Sequence, residues 1–414
     1  MFSHSSSCPF RSCFLPVQIS VSTAPIRTTI YHSYQDIPQK VWAEFVPEDC
    51  LFLQLPYLRV LEANGPRDVN HHFVLFQQGS RVVGVALAQQ FVWKTDDSLL
   101  RGGEATGFRG RVMGKIARRA HFNLLLLGNL LLTGERAFYF DDRLATDQQL
   151  PLLQEALDEI RSWYQQQGRV IHGYFYKDFR AERQAEQLQY LRRRRFLELT
   201  FAPNMCLPLR PEWNTMDDYL SALTSKYRKR YRRARRKAEA IECRQLGPAE
   251  IHAQEGRIFE LYQKIVARVR FNMVELTPGY FAALARELPE DFCLKAYYDG
   301  ETMVGFTSSL VNGEELEAHF VGLDESYNAT HQLYLNMLFD FVEQGISLPG
   351  VHSIHFARTA YTIKSSLGAQ PETFYSYLRF KNSLAQLTLE PVYRFMEPEP
   401  EQWEARRPFG EQDS

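Results

Sequence analysis

Cysteine is scarce and scattered. Cys8, Cys13, Cys50, Cys206, Cys243 and Cys293 form no Cys-x-x-Cys pair and have no companion histidine cluster. That spacing excludes a sequence-coded structural zinc and a disulfide framework, and the expectation is a reduced compartment with no metal. Net charge is nearly absent too: 48 Lys and Arg face 49 Asp and Glu, leaving −1 at pH 7, so any charge-driven binding must come from a local patch. Long apolar runs are missing. The longest, "FNLLLLGNLLL" at 122–132, falls short of the ~20 residues a spanning helix needs, which points to a soluble, cytoplasmic protein. Before Asp36 there is no acidic residue, but only Arg11 and Arg27 supply cations and no apolar stripe is present, so residues 1–27 read as a disordered leader.

What is present is a chain of 414 residues, 45% of them hydrophobic, enough for about two to three domains. An internal repeat organises it. "FVLFQQGSRVVGVALA" from Phe73 and "LKAYYDGETMVGFTSS" from Leu294 share one design, an apolar run, a Gly-centred turn, then Val-Gly and a second run. Gly79 and Gly84 correspond to Gly300 and Gly305, and each unit reads as a β-hairpin, since Asp-Gly is a strong turn signal.

The repeat decides how a tempting motif is read. Arg81-Val82-Val83-Gly84-Val85-Ala86 has the R-x-x-G-x-A form of a loop that holds a pyrophosphate, yet Gly84 falls inside the second strand of a hairpin, where no cluster of free N–H groups is offered. A partial match, Arg111-Val112-Met113-Gly114, precedes the apolar strand it should follow. After the first hairpin, the pattern predicts a strand region over 122–140, a helix over 150–167, a strand, a helix, and "LELTFAPNMCLPL" closing the copy. The second copy predicts a long helix from Met216, the hairpin 292–311, a strand over 315–323, a helix over 329–344, the strand "VHSIHFA", the short helix "YTIKSSLG" and the strand "TFYSYLRF". Each copy is an α/β unit, a mixed, mostly antiparallel sheet flanked by helices.

This layout resembles the GNAT acyltransferases, and in tandem it is similar to their Fem-type branch. The matching strings lie in the second copy: "YLSALTSKYRKRYRRARRK", "LYLNMLFDFVEQGI" and "HFARTAYTIKSSLGA", the last departing from the family pattern by Ile363 in place of Tyr before Lys364. The expected domains are an N-terminal one over 28–209, a C-terminal one over 210–396 holding the acyl donor, and a flexible tail over 397–414. The resemblance implies an N-acyltransferase acting from acetyl-CoA or another acyl-CoA on a small-molecule or peptide amine. Its alternatives are an aminoacyl-tRNA-dependent peptidyltransferase of cell-wall precursors and a non-catalytic anion-binding module.

In "ELEAHFVGLD" strand alternation sets Glu315, Glu317 and His319 on one face and Leu316, Ala318 and Phe320 on the other. His319, or a Glu317 whose pKa burial has raised, is the candidate base; a solvated face with inert charges is the plain alternative. The resemblance gives Val321, Gly322 and Leu323 to the acyl-donor arm. Asn328, Thr330 and Gln332 then stand where phosphate would bind, although glycines are missing there and Asn328 or Thr330 would equally serve as a helix cap. It also gives Lys364, with Tyr361 and Arg358 upstream, to the catalytic site facing an anionic group. The run Lys226–Lys237 packs nine cations into twelve residues, and apolar Tyr227, Tyr231 and Ala234 at helical spacing leave the cations on the other faces. Lys226, Arg228, Arg232 and Arg235 are the expected anion-binding set, for a phosphate-bearing ligand first, then tRNA or the inner face of an anionic membrane.

Overall fold

Two hairpins set the architecture of the computed structural model, which describes residues 24–94, 121–180, 185–268, 274–381 and 403–410. In the first, β2 (Asn70–Gln78) and β3 (Arg81–Lys94) turn at Gly79, φ +63°; in the second, β10 (Phe292–Asp299) and β11 (Thr302–Asn312) turn at Gly300, φ +58°. A tight turn between right-twisted strands needs that left-handed residue, which glycine supplies without a Cβ clash. The likeness extends to the irregularities. Each ladder slips by one residue at the same place, after Phe76 opposite Gly84 and after Tyr297 opposite Gly305. One fixed offset therefore carries Gly79, Gly84 and Phe76 onto Gly300, Gly305 and Tyr297. Gly84 is a packing residue: a Cβ there would lie 2.2 Å from the Phe140 ring, as one on Gly305 would lie 2.4 Å from Met337 Cε. The Arg111–Gly114 string lies outside the described residues.

The first sheet runs β1 (Ile26–Tyr31), β2, β3, β4 (His121–Leu127), β6 (Gly173–Phe179), β15 (Tyr375–Phe380), β7 (Leu197–Thr200), with the short β5 (Phe138–Phe140) beside β3. The second runs β9 (Ile241–Gln245), β10, β11, β12 (Glu315–Leu323), β13 (Ser353–His355), β8 (Asn204–Pro208), β14 (Gln370–Glu372). Position by position the two orders coincide, and in each the contact between the fourth and fifth strands is parallel while its neighbours are antiparallel.

The sixth position is exchanged. β15, from the end of the chain, fills the first sheet, and β8, from the end of the first half, fills the second. "LELTFAPNMCLPL" thus does not close one copy but divides between two sheets, and the sheets do not part at residue 209. Between them lies a shared apolar core, in which Trp42, Tyr57 and Phe73 meet Tyr280, Phe281 and Phe306. The outer face of the first sheet is covered by the helix Thr146–Gln166, that of the second by the helix Leu333–Ser347.

Three further expectations change. The long helix from Met216 is two helices, Met216–Ala222, started by a Thr215/Asp218 capping box, and Ser225–Lys237. β1 begins at Ile26, inside the expected leader. The expected flexible tail is in part packed: Phe409 sits against Trp213 and Tyr219, Pro408 O accepts from Thr224 N at 2.8 Å, and Gly368 at φ +99° leaves the space Phe409 fills.

Candidate functional site

β12 is the strand on which the site is built. Its ladder with β11 slips so that Ser308 faces Phe320 and Ser309 faces Ala318, leaving His319 as the extra residue of a bulge. The bulge breaks simple alternation. Leu316, Ala318 and Val321 still pack toward the helix Leu333–Ser347, but Phe320 joins His319 on the side of the shared core, against Tyr262, Tyr280 and Phe281, which corrects its expected placement. β12 pairs with β13 only from Glu315 to Glu317; it then continues through Val321, Gly322 and Leu323 without that partner. The sheet splits there. In the first half the equivalent strand is interrupted, β4 pairing with β6 as far as Leu127 and β5 taking over along β3. Gly322 pairs with Phe306, whose ring would lie 2.2 Å from a Cβ at that position.

The interruption between β4 and β5 has its own use, because it carries Arg136 across to the second half. The guanidinium contacts Glu315 and bonds Glu317 Oε1 at 2.6 Å, while Arg180 reaches Glu315 at 3.4 Å and Glu372 at 2.7 Å. Burial works to raise the Glu315 carboxyl, but Arg136, then His355 and Arg180, outweigh it and hold it down to about 2. Glu317, offered as a base, is engaged by an arginine instead. Alongside, the buried Lys177 bonds Asp178 and Leu132 O, both at 2.5 Å, and Arg358 Nη2 bonds Asp178 at 2.6 Å. Burial opposes ionisation of Asp178 and Lys177 and Arg358 overcome it, placing the carboxyl at about 2. Arg358 also donates to Ala202 O at 2.7 Å, so it joins the halves rather than meeting a substrate anion.

His319 lies deeper on the same side. Its Nε2 is 3.3 Å from Tyr280 Oη, its Nδ1 is sealed from solvent without a hydrogen bond, and burial pushes the imidazole down to about 3 although the residue keeps some exposed surface. The ring is neutral over the physiological range and a weak base. Burial holds the phenols of Tyr57 and Tyr280 above their ordinary range, with Asn129 Nδ2 donating to Tyr57 Oη at 2.9 Å. Tyr57, Asn129, Arg136 and Tyr280 were not legible as site residues. Three come from segments whose pattern is simply apolar or loop-like, and only the packing of one half on the other brings them to β12.

Lys364 is 3% exposed and its ammonium donates to the carbonyls of Phe356 at 2.6 Å and of Ala357 and Arg358, both at 3.1 Å. Those carbonyls belong to a loop in which Ala357, Thr359 and Ala360 all have positive φ, a conformation that non-glycine residues adopt only when their surroundings enforce it. With its donors committed to the main chain, Lys364 holds the loop instead of facing an anionic group. Tyr361 is buried and packs on Trp403. Asn328 caps the next helix, its Oδ1 accepting from Tyr334 N at 3.1 Å, and Thr330 Oγ1 bonds Ser326 O at 3.2 Å and His331 at 2.7 Å.

Beyond the carboxyl ends of β12 and β13 a cavity of about 500 Å³ opens. Gln332, the left-handed residue between the helix Glu325–His331 that follows β12 and the helix Leu333–Ser347, and Thr362, on the helix after β13, line it together with Lys226, Lys229, Arg230, Arg233 and Arg406. Residues 226, 229, 230 and 233 share one helical face. Burial foremost, with Arg233 and Arg406 nearby, pushes Arg230 below its ordinary range. Gln332 sits at φ +52° with Oε1 buried and without a hydrogen bond. Lys226 and Gln332 are thus where an anion site would need them, but Arg228, Arg232 and Arg235 are not. Arg228 clamps the carbonyls of Ser221 and Leu223, Arg235 is paired with Asp340 at 2.6 Å and Glu343 at 3.5 Å, and Arg232 is exposed away from the lining. The reason is the tertiary partner: Arg235 lies over the helix Leu333–Ser347, whose acids claim it.

Comparison with known proteins gives consistent findings. The family described as FemAB-like, peptidoglycan biosynthesis/recognition, matches residues 133–339, half of the chain. No curated protein sequence matches. Among solved structures, FemX aligns over 87% of this chain and 99% of its own with a TM-score of 0.51 at 11% identity. A tandem GNAT protein from the clavulanic acid biosynthesis pathway aligns over 86% and 99% with a TM-score of 0.47 at 10% identity. L-PGS from Bacillus licheniformis aligns over 86% and 98% with a TM-score of 0.44 at 11% identity. At 11% identity the likeness to FemX concerns the fold alone.

Proposed function

The chain belongs to the FemAB-like family, and on that premise we propose that it transfers an acyl group to an amine from a donor that carries phosphate. The observation that supports this reading is the basic cavity lined by the starts of the helices that lead on from the parallel strands β12 and β13, the side on which open α/β sheets gather their ligands. Its cations and the first turn of the helix Leu333–Ser347 suit phosphate oxygens. The unpartnered edge of β12 from Val321 to Leu323 suits an extended acyl-bearing arm, and a coenzyme A thioester, acetyl-CoA or a longer acyl-CoA, fits both features. No helix among the described residues is long and apolar enough to cross a membrane. His319 in this scheme orients rather than deprotonates: with its pKa near 3 it offers a hydrogen bond to an amine that arrives neutral.

Aminoacyl-tRNA is the second donor. Exposed Arg232, Arg236 and Lys237 extend the cationic surface of the helix past the cavity, which favours a longer polyanion. Thermal unfolding with acetyl-CoA, longer acyl-CoAs, free coenzyme A and deacylated tRNA tests the proposal. A donor at ~100 times its Kd adds ~2.7 kcal/mol of apparent stability. Stabilisation by coenzyme A supports the first donor and stabilisation by tRNA alone the second, whereas no shift with any of them overturns the reading.

A further inference from the structure

Strand exchange brings together a cluster that the sequence disperses. Cys206 on β8 stands directly opposite His355 on β13, and Glu372 on β14 pairs with Asn204, on the same face of β8 as Cys206. Cys206 Sγ, a ring nitrogen of His355 and a Glu372 carboxylate oxygen lie within 4.8 Å of one another. We propose that Cys206, His355 and Glu372 bind a divalent cation of the zinc type at the seam between the two halves.

The distances suit one. Sγ is 3.7 Å from His355 Nε2. With metal–nitrogen and metal–sulfur bonds of ~2.0–2.1 and ~2.3 Å, two ligands at a tetrahedral angle stand ~3.6 Å apart. Ser353 Oγ at 3.2 Å and Glu315 Oε1 at 3.6 Å from the same nitrogen are the next donors at hand. Two buried polar atoms lack hydrogen-bond partners at this spot, Glu372 Oε2 and Asn204 Oδ1. Asn204 is 1% exposed, and its amide lies 3.0 Å from His355 Nδ1. Turned about so that Oδ1 accepts from Nδ1–H, that amide fixes the tautomer whose Nε2 lone pair points to the thiol, the support a metal-bound histidine usually has. Charge agrees as well. Glu315, Glu317 and Glu372 exceed Arg136 and Arg180 by one negative charge, and a dication together with a Cys206 thiolate brings the cluster to neutrality. A sulfur, nitrogen and oxygen donor set selects zinc over magnesium or calcium. Bound there, the cation ties the exchanged strand β8 to β13 and β14.

The test is cobalt titration of the full chain, stripped of metal by chelator and kept reduced. Wild type should take up one Co²⁺ with thiolate-to-cobalt charge-transfer absorption and tetrahedral d–d bands, and Zn²⁺ should abolish both. Cys206→Ser should lose the charge-transfer band while Cys243→Ser, at an exposed cysteine, retains it. Asn204→Ala should weaken binding by ~10–100-fold. Absence of the band in wild type, or its survival in Cys206→Ser, overturns the proposal. Should Cys206→Ser not fold, alkylation of wild type decides: Zn²⁺ but not Mg²⁺ should shield Cys206 from iodoacetamide, and equal labelling with either ion counts against the site.

Discussion

Lys364 occupies the position where its family resemblance suggests catalysis, and its contacts give it a different task. Three main-chain carbonyls of a left-handed loop converge on one buried ammonium. Removing the ammonium leaves those carbonyls without a donor, at ~1–3 kcal/mol for a buried group so abandoned, partly offset as the loop relaxes. Lys364→Met should therefore lower unfolding stability by ~2–4 kcal/mol in a urea titration. A variant as stable as wild type but catalytically dead would restore the catalytic assignment.

At the scale of elements, the basic helix divides into faces with separate duties. Lys229, Arg230 and Arg233 face the cavity, whereas Arg228 and Arg235 are spent on carbonyls and acids of neighbouring helices. Exchanging Lys229, Arg230 and Arg233 for Gln should weaken a phosphate-bearing ligand and flatten the salt dependence of its binding, with little effect on folding. Arg235→Gln should do the reverse, strip a partner from Asp340 and lower stability while leaving the salt slope in place. Equal salt slopes for the triple variant and wild type would show that the cavity does not receive phosphate.

For the whole molecule, the exchanged strands make each half incomplete without the other. A chain cut after residue 209 leaves the first sheet without β15 and the second without β8, each an open gap of unpaired main chain flanked by apolar faces. Either fragment expressed alone should be insoluble or lack a cooperative transition, and co-expression should recover soluble complex. Two independently folded fragments would contradict the exchange.

Acid should also act globally. Burial holds His71 at about 4 and His319 at about 3; at His72 burial, followed by His32, His71 and Arg169, gives about 3. Each ring is neutral in the fold and takes up its proton near 6.5 when unfolded. Their contribution is therefore complete above about pH 6.5 and is lost as pH falls from there toward the folded values, at up to ~1.4 kcal/mol per pH unit for each histidine. Glu315 and Asp178, held at about 2, add their own loss only below the ordinary carboxyl range. Urea midpoints should drop between pH 7 and 4.5, and a constant midpoint across that interval would refute the buried neutral rings.

Local rules were sufficient for the hairpins. A glycine turn and an apolar alternation are properties of neighbouring residues, so the repeat, the α/β class and the place of Gly84 within a strand could be read directly, as could the bounds of β12. Even the cationic helix was visible as a helix with one packed stripe. Its binding face was not, because helical spacing says which cations lie together but not which of them meet Asp340. The exchange of β8 and β15, the arrival of Arg136 at Glu317, the burial of Lys364 and the meeting of Cys206 with His355 join residues far apart along the chain. Such contacts are decided when two sheets of like pattern compete for the same strands and bury a common core, a choice that no window of neighbouring residues contains.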